Sequence, residues 1–258
     1  MTDHIDLNAD LGESFGPYRM GNDEAMLDIV SSANIACGFH AGDPTVMART
    51  VKLCITKGVA IGAHPGFRDI EGFGRRRIHG IPPGELQAML AYQIGALQGV
   101  AAAQGARVGH VKLHGALANM ASEDLDLATT CVAAIQSVDP GLVVVAMAST
   151  ALETAATRLG APCAREVYAD RAYNDDGTLV DRRSAGAIID DAQEAAARVL
   201  SMVKDRQVIS RDGVTVAVNP ESVCVHGDHP QGVRIASAVR AGLEAAGVRI
   251  APVATTES

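Results

Sequence analysis

Tryptophan is absent from the chain, and phenylalanine and tyrosine contribute four residues each, so aromatics make up only 3% of 258 residues. A core without large rings has to be built from Ala, Val, Ile, Leu and Met. That suits helices packed on buried parallel strands, whose sequences run almost continuously apolar. Basic charge is scarce as well. Lys and Arg number 22 against 30 Asp and Glu, a formal net charge of −8, which argues against the broad basic face of a nucleic-acid binder. A local cluster can still hold a small anion against that global sign. The five cysteines (Cys37, Cys54, Cys131, Cys163 and Cys224) are scattered with no C-x-x-C pair, so reduced thiols and a cytoplasmic address are expected. No basic stretch followed by an apolar run opens "MTDHIDLNAD", and no signal peptide is expected. The longest strongly apolar stretch, "GLVVVAMA", is far short of the roughly 20 residues a membrane helix needs. Also missing are a G-x-x-x-x-G-K-[ST] phosphate loop, a G-x-G-x-x-G turn after a strand, H-E-x-x-H and any cysteine-based zinc pattern.

What is present is 48% apolar residues in a rhythm of short apolar runs, polar clusters and helical segments. Candidate strands are Ile5–Ala9, Ala33–Phe39, Val59–Ala63, Val108–Leu113, Leu142–Met147, Arg165–Ala169, Ser222–Val225 and Val248–Ala251. Candidate helices are Asn22–Ser31, Pro44–Lys57, Pro83–Ala103, Glu123–Val138, Thr150–Leu159, Ser184–Lys204 and Gln231–Ala246. Gly58, Gly105, Gly160 and Gly247 follow helical runs, where a C-terminal glycine accepts the left-handed conformation. "QVISRDGVTVAV", Gln207 to Val218, breaks the rhythm as a hairpin turning near Asp212-Gly213. No linker or repeat divides residues 1–258, so one domain is expected. Alternating strands and helices imply a parallel sheet. Seven or so such units favour a closed TIM-like (β/α) barrel over an open doubly wound sheet.

In such barrels the reactive groups lie at the C-terminal ends of strands and just beyond them. The polar clusters fit that rule. "NADLGESFG" offers Asn8, Asp10, Glu13 and Ser14; the second strand runs out at His40; "AHPGFRD" carries His64 and Asp69. "HVKLHGA" adds Lys112 and His114, "YADRAYND" Asp170 and Arg171, and "CVHGDHP" His226, Asp228 and His229. The helix-to-strand joints are plain turns. Of the eight histidines, all but His4 and His79 lie at or just after expected strands.

Simpler roles compete with these. Asp43 before Pro44 reads as a helix N-cap followed by an N1 proline, and Asp228-His229-Pro230 repeats the device. Lys112 points inward if it alternates with His110 and His114. A buried lysine without a role would be costly, which favours function. The Arg75-Arg76-Arg77 run is either solvated charge or a lure for an anionic substrate or phosphate. Asp10, His40 and His64 are spaced so that an Asp-His-His site for zinc or another first-row ion is an option.

As a set, "DLNADLGESFG" (6–16), "SANIACGFHAGDP" (32–44), "GAHPGF" (62–67) with "GFGRR" (72–76), "VKLHGAL" (111–117), "ADRAY" (169–173) and "VCVHGD" (223–228) resemble the LamB/YcsF family. The motifs run in order over nearly the whole chain. The resemblance implies a barrel related to sugar deacetylases and ATP-dependent cleavage of 5-oxoproline (pyroglutamate) to L-glutamate, in a complex with subunits B and C of the same 5-oxoprolinase. From their place after the strands, Asp10, His40, His64, Lys112 and His114 are expected to be catalytic, with Asp10, His40 or His64 as general base. Asn8, Glu13, Asp170, Arg171 and His226 are expected to hold substrate. Arg75 and Arg76 are expected to face the ATP, with a divalent metal as an additional option. A homo-oligomer is left open, and neither nucleic acid nor membrane is an expected partner. Leu113 stands where the family motif has proline, and Ala118 where it has tyrosine, which bears on pocket shape. Two rivals are a stand-alone metal-dependent deacetylase or amidohydrolase, and a non-catalytic scaffold subunit.

Overall fold

The apolar runs become parallel strands, and the computed structural model describes residues 4–227 and 231–253. In chain order the first half comprises β1 (His4–Leu11), α1 (Asp23–Leu27), β2 (Ser32–Ala36), α2 (Pro44–Lys57), β3 (Ala60–His64), α3 (Pro83–Ala102), β4 (Val108–Lys112) and α4 (Gly115–Glu123). The second half comprises α5 (Leu125–Val138), β5 (Val143–Met147), α6 (Ala151–Leu159), β6 (Cys163–Tyr168), α7 (Ala192–Asp205), β7 (Gln207–Ile209), β8 (Thr215–Ala217), β9 (Ser222–His226), α8 (Gly232–Ala245) and β10 (Arg249–Ile250).

Strands β1 to β6 pair in that order, all parallel, and β9 pairs with both β6 and β1, which closes a seven-stranded barrel. β10 lies outside the ring against the start of β1. β7 and β8 form the expected antiparallel hairpin. Local signals explain the connections. Asp43 caps α2 by accepting from the amides of Thr45 and Val46, Pro44 fills the first helical turn, and Gly58 ends the helix at φ +67°.

The largest departures from the sequence reading fall at four places, each for a local reason. β2 stops at Ala36 because Gly38, at φ +92°, turns the chain and its N–H donates to the carbonyl of Ala41. His40 therefore lies on a loop, not on a strand. α1 ends at Leu27, and Ser31 instead donates its N–H to Leu7 and its hydroxyl to Asp6. α4 was not expected at all; it starts directly after the β4 loop. The helix expected from Ser184 starts only at Ala192, capped by Asp191. Gly186 sits at φ +73°, and Ile188 and Ile189 bridge to Arg171 and Asp170, so their apolar spacing serves a loop laid along the barrel top. The expectation for Asp228 and His229 lies outside the described residues.

The apolar core sits between the strands and the helices, through outward-facing Ile5, Leu7, Ala9, Leu11, Ala33, Ile35, Ile61 and Val111. The barrel interior is polar. Alternation points Asp6, Asn8 and Asp10 of β1 inward, and the register sets them beside Ser222, Cys224 and His226 of β9. Gly62 on β3 leaves room for His110, because a Cβ there would lie 2.0 Å from His110 Nε2. Aromatic scarcity fits this interior, which is filled by hydrogen-bonded side chains.

Candidate active site

Hydrogen bonds climb the barrel axis to one carboxylate. Asp6 at the base accepts from the hydroxyls of Ser31, Ser32 and Ser222. Asn8 donates its amide N–H groups to Glu166 Oε1 (2.8 Å) and Ser222 Oγ (2.7 Å). Asn34 Nδ2 then donates to both Asn8 Oδ1 (2.7 Å) and Asp10 Oδ1 (2.9 Å). With its nitrogen so committed, Asn34 Oδ1 accepts from His110 Nε2 at 2.9 Å, which fixes that histidine's tautomer. Asn8 thus lies one layer beneath the open space and orients what lies above it.

Asp10, at the top of β1, is the hub. Lys112 Nζ lies 3.1 Å from Asp10 Oδ1 and 3.0 Å from Glu166 Oε1, and it also touches Asn8 Oδ1 (3.3 Å) and Cys224 Sγ (2.9 Å). His64 Nε2 lies 3.3 Å from Asp10 Oδ2, and His226 Nε2 lies 4.0 Å from the same atom. Burial alone would raise the Asp10 carboxyl, but the charges of His64 and Lys112 outweigh it and hold the group well below the ordinary carboxylate value. Burial would likewise lower Lys112, yet the carboxylates of Asp10 and Glu166 keep its ammonium well above the ordinary lysine value. The pair is fully ionised at neutral pH. Burial pushes the Cys224 thiol up, so it faces Lys112 as a neutral group.

Two flanks complete the site. On the β9 side, His226 Nδ1 lies 2.8 and 2.9 Å from the two oxygens of Asp170. A carboxylate there accepts from Nδ1–H and fixes the ring so that Nε2 faces Asp10. On the β3–β4 side, His64, His114 and His40 pack together. His40 stacks on His114 with ring centroids 3.6 Å apart and planes 4° from parallel, and His64 meets His114 edge-on. Gly74, at φ +63°, closes over them, and a Cβ there would lie 2.7 Å from both His114 Cδ2 and His40 Cβ. Burial, together with the neighbouring histidines, holds His40 and His114 well below the ordinary histidine value, so both rings are neutral.

Above these groups opens a cavity of about 940 Å³, lined by Asp10, His64, Lys112, His114 and His226 below and by arginines near the mouth. Arg75 lies over the Phe73 ring at 4.8 Å. Arg76 pairs with Asp69, and Arg77 with Glu123. Arg171 is buried, and one of its N–H groups donates to Val180 O at 2.6 Å. Leu113 and Ala118 are both in the wall.

Glu13, His40, His64 and His114 each put one donor atom within 4.8 Å of the others. Neither ring nitrogen of His40 has a hydrogen-bond partner although both are buried. A carboxylate and neutral imidazoles are donors that suit a first-row divalent ion. The sequence reading had grouped Asp10, His40 and His64. The structure brings in Glu13 and His114 and sets Asp10 at the edge of the group, against His64.

Glu166, Tyr168, Asn34 and Cys224 were missed from the sequence. Glu166 and Tyr168 carried a signal: two polar groups two positions apart on a predicted strand, hence on one face.

A closed parallel barrel that gathers an ionised Asp–Lys pair and four histidines at and beyond the C-terminal ends of its strands sets its reactive groups on the face where (β/α) barrels carry their active sites. A solved deacetylase domain from Eubacterium rectale shares the fold (TM-score 0.52, 12% identity, 100% of this chain and 91% of that one). The particular family is LamB/YcsF: its sequence model matches residues 5–258, and the chain belongs to it. One relative, from Rhodopseudomonas palustris (strain BisA53) and named as the A subunit of 5-oxoprolinase, is 54% identical over 97% of this chain and 98% of its own. The crystal structure of a lactam utilization protein from Thermus thermophilus superposes with a TM-score of 0.90 at 43% identity, covering 96% of this chain and 99% of that one.

Proposed function

We propose that this protein opens 5-oxoproline to L-glutamate in a reaction coupled to ATP hydrolysis, as the A subunit of an enzyme completed by partner subunits B and C. The supporting observation is the Asp10–Lys112–His226 arrangement on the cavity floor. It occurs in a chain that matches relatives named as the A subunit of 5-oxoprolinase along almost their whole length.

An unstrained five-membered lactam resists water near neutral pH. Transfer of the γ-phosphoryl group of ATP to the lactam oxygen turns carbon 5 into an electrophile. Water then adds at carbon 5 and gives up a proton to His226 Nε2, whose other nitrogen is held by Asp170. Lys112 stabilises negative charge on oxygen at carbon 5. Return of a proton to the ring nitrogen lets the C5–N bond break, leaving γ-glutamyl phosphate. A second water hydrolyses it to glutamate and inorganic phosphate. Asp10 orients His64, Lys112 and His226, Glu13 and Arg171 face the substrate, and Arg75 and Arg76 lie where a triphosphate would enter.

The test is phosphate release from ATP that depends on 5-oxoproline, measured with this chain alone and with the two partner subunits. Activity is expected only in the complex, and Lys112→Ala or His226→Ala should lower it by at least about 100-fold. No lactam-dependent release in either condition would overturn the substrate. Full activity from the chain alone would overturn the partner requirement.

A further inference from the structure

Arg171 is 6% exposed, lines the cavity and, like any arginine, is charged at neutral pH. A buried charge calls for an opposite charge beside it. No carboxylate of the described residues pairs with this one. Asp170, its neighbour in the chain, accepts from His226, and Asp181 is engaged by Arg183. The side chain makes one hydrogen bond among the described residues, from Nη2 to Val180 O, and its buried Nε has no partner. Burial and the charge of Arg182 outweigh Asp170 and hold Arg171 below the ordinary arginine value. Elsewhere on the cavity wall Arg76 is neutralised by Asp69 and Arg77 by Glu123. The backbone that carries Arg171 is held from two sides. It bridges to Ile188, Ala172 N–H donates to Ala187 O, Ile189 N–H donates to Asp170 O, and Arg198 donates to Arg171 O at 3.1 Å. The guanidinium is thus presented from a fixed frame, which spares a ligand the cost of ordering it.

We propose that Arg171 is the seat of a ligand carboxylate, and that this chain recognises cyclic amides by a carboxylate carried on the ring. One uncompensated charge matches a monoanion, and the planar guanidinium matches the two oxygens of a carboxylate. The lactam ring is taken from the function proposed above, on which this inference rests. The anion requirement comes from the arginine alone. Its consequence is a specificity: a site whose buried donor is left unpaired rejects an analogue that lacks the pairing group. A lactam of the same ring size without a carboxylate is therefore excluded, whatever the rest of the cavity offers it.

The experiment is a calorimetric titration of the full-length chain, alone and with the partner subunits. The probes are 5-oxoproline, 2-pyrrolidone (the same ring without the carboxylate), cyclopentanecarboxylate (the carboxylate without the amide) and inorganic phosphate. 5-Oxoproline should bind at least about 100-fold more tightly than 2-pyrrolidone. Arg171→Met should remove most of that difference by weakening 5-oxoproline alone. Arg171→Lys should recover only part of it, because a point charge replaces the planar fork. Circular dichroism establishes that the variants fold, and the wild-type comparison of the two lactams decides without them. Equal affinity for both lactams would overturn the proposal, as would equal weakening of both in folded Arg171→Met. Failure of every carboxylate to bind, with and without the partners, would overturn it too. Phosphate that binds more tightly than the carboxylates and is lost in Arg171→Met would assign the arginine to a phosphoryl group instead. Cyclopentanecarboxylate held through Arg171, with no lactam-dependent phosphate release, keeps the anchor and loses the reaction. Phosphate release as fast with 2-pyrrolidone as with 5-oxoproline keeps a lactam reaction and loses the anchor.

Discussion

Replacing Lys112 with methionine keeps most of the side-chain volume and removes the charge that neutralises the barrel centre. Lys112 is 3% exposed, and its ammonium lies 3.1 Å from Asp10 and 3.0 Å from Glu166. Breaking a buried ion pair by deleting one partner costs about 3–5 kcal/mol, because the other charge is left without compensation. For a chain of this length, about 1 kcal/mol moves the thermal midpoint by about 2–4 °C, so a fall of roughly 6–20 °C is expected at pH 8. The pH dependence has a definite sign. In the wild type, Asp10 is held below its ordinary value, so its contribution is present above the unfolded carboxylate value near pH 4 and is lost only as the pH falls below that. Without Lys112 only His64 and His226 remain to offset burial, and the Asp10 carboxyl is expected to rise above its unfolded value. The folded variant then binds more protons than the unfolded chain, and its stability grows as the pH falls toward 5. Thermal unfolding followed by circular dichroism at pH 8 and pH 5.5 should show the gap to wild type narrowing on acidification. Adding Glu166→Gln should restore part of the loss. A midpoint within about 2 °C of wild type at pH 8, or a gap that widens at pH 5.5, would refute the reasoning.

Burial lowers His110 to about 3, so folding keeps it neutral while the unfolded chain takes up a proton below about pH 6.5. Stability is therefore lost as the pH falls through that window, at about 1.4 kcal/mol per unit from this residue. His110→Gln should flatten the urea-midpoint profile between pH 6.5 and 4.5 by that amount, and an unchanged slope would count against it. Gly74→Ala adds a Cβ 2.7 Å from His114 and His40 at a left-handed backbone position. It should cost about 2–4 kcal/mol by unfolding and lower turnover by displacing both rings. Ala118→Tyr would fill part of the cavity wall. It should reduce kcat/KM for a six-membered lactam relative to 5-oxoproline by at least about tenfold, and equal effects on both substrates would show that the wall does not select size.

Most of the barrel was readable because its helix-facing surface is apolar and the glycine stops are explicit. Pro44–Lys57 and the hairpin from Gln207 needed only capping and turn chemistry. The site was readable where side chains cluster after strands: Asp10, His64, Lys112, His114 and His226 all reach one cavity. What escaped the sequence lies inside the strands. In a parallel barrel both faces of every strand are buried, so hydrophobicity does not announce which face is the interior. Asn34 and Cys224 look like interruptions in apolar runs until the register sets them beside Asp10 and Asn8. The carbonyls of Phe73 and Lys112, which accept from His114 and His64, leave no trace in side-chain type at all.

That polar interior has a physical consequence for the reaction centre. An apolar filling would stabilise the barrel more, since each buried polar group recovers only the cost of leaving water when it is paired. It would also leave Asp10 free to rotate. Here Asn34 donates to one of its oxygens while being held in turn by His110 and Asn8. Asn8 is pinned by Glu166 and by Ser222, the serine that also donates to Asp6. Each amide is used on both its nitrogen and its oxygen, so no member can flip without breaking bonds in two neighbours. Asp10 consequently presents one oxygen to Lys112 and the other toward His64 and His226. The stability forgone in the barrel centre is what holds the carboxylate in the single orientation from which it can serve both flanks of the cavity.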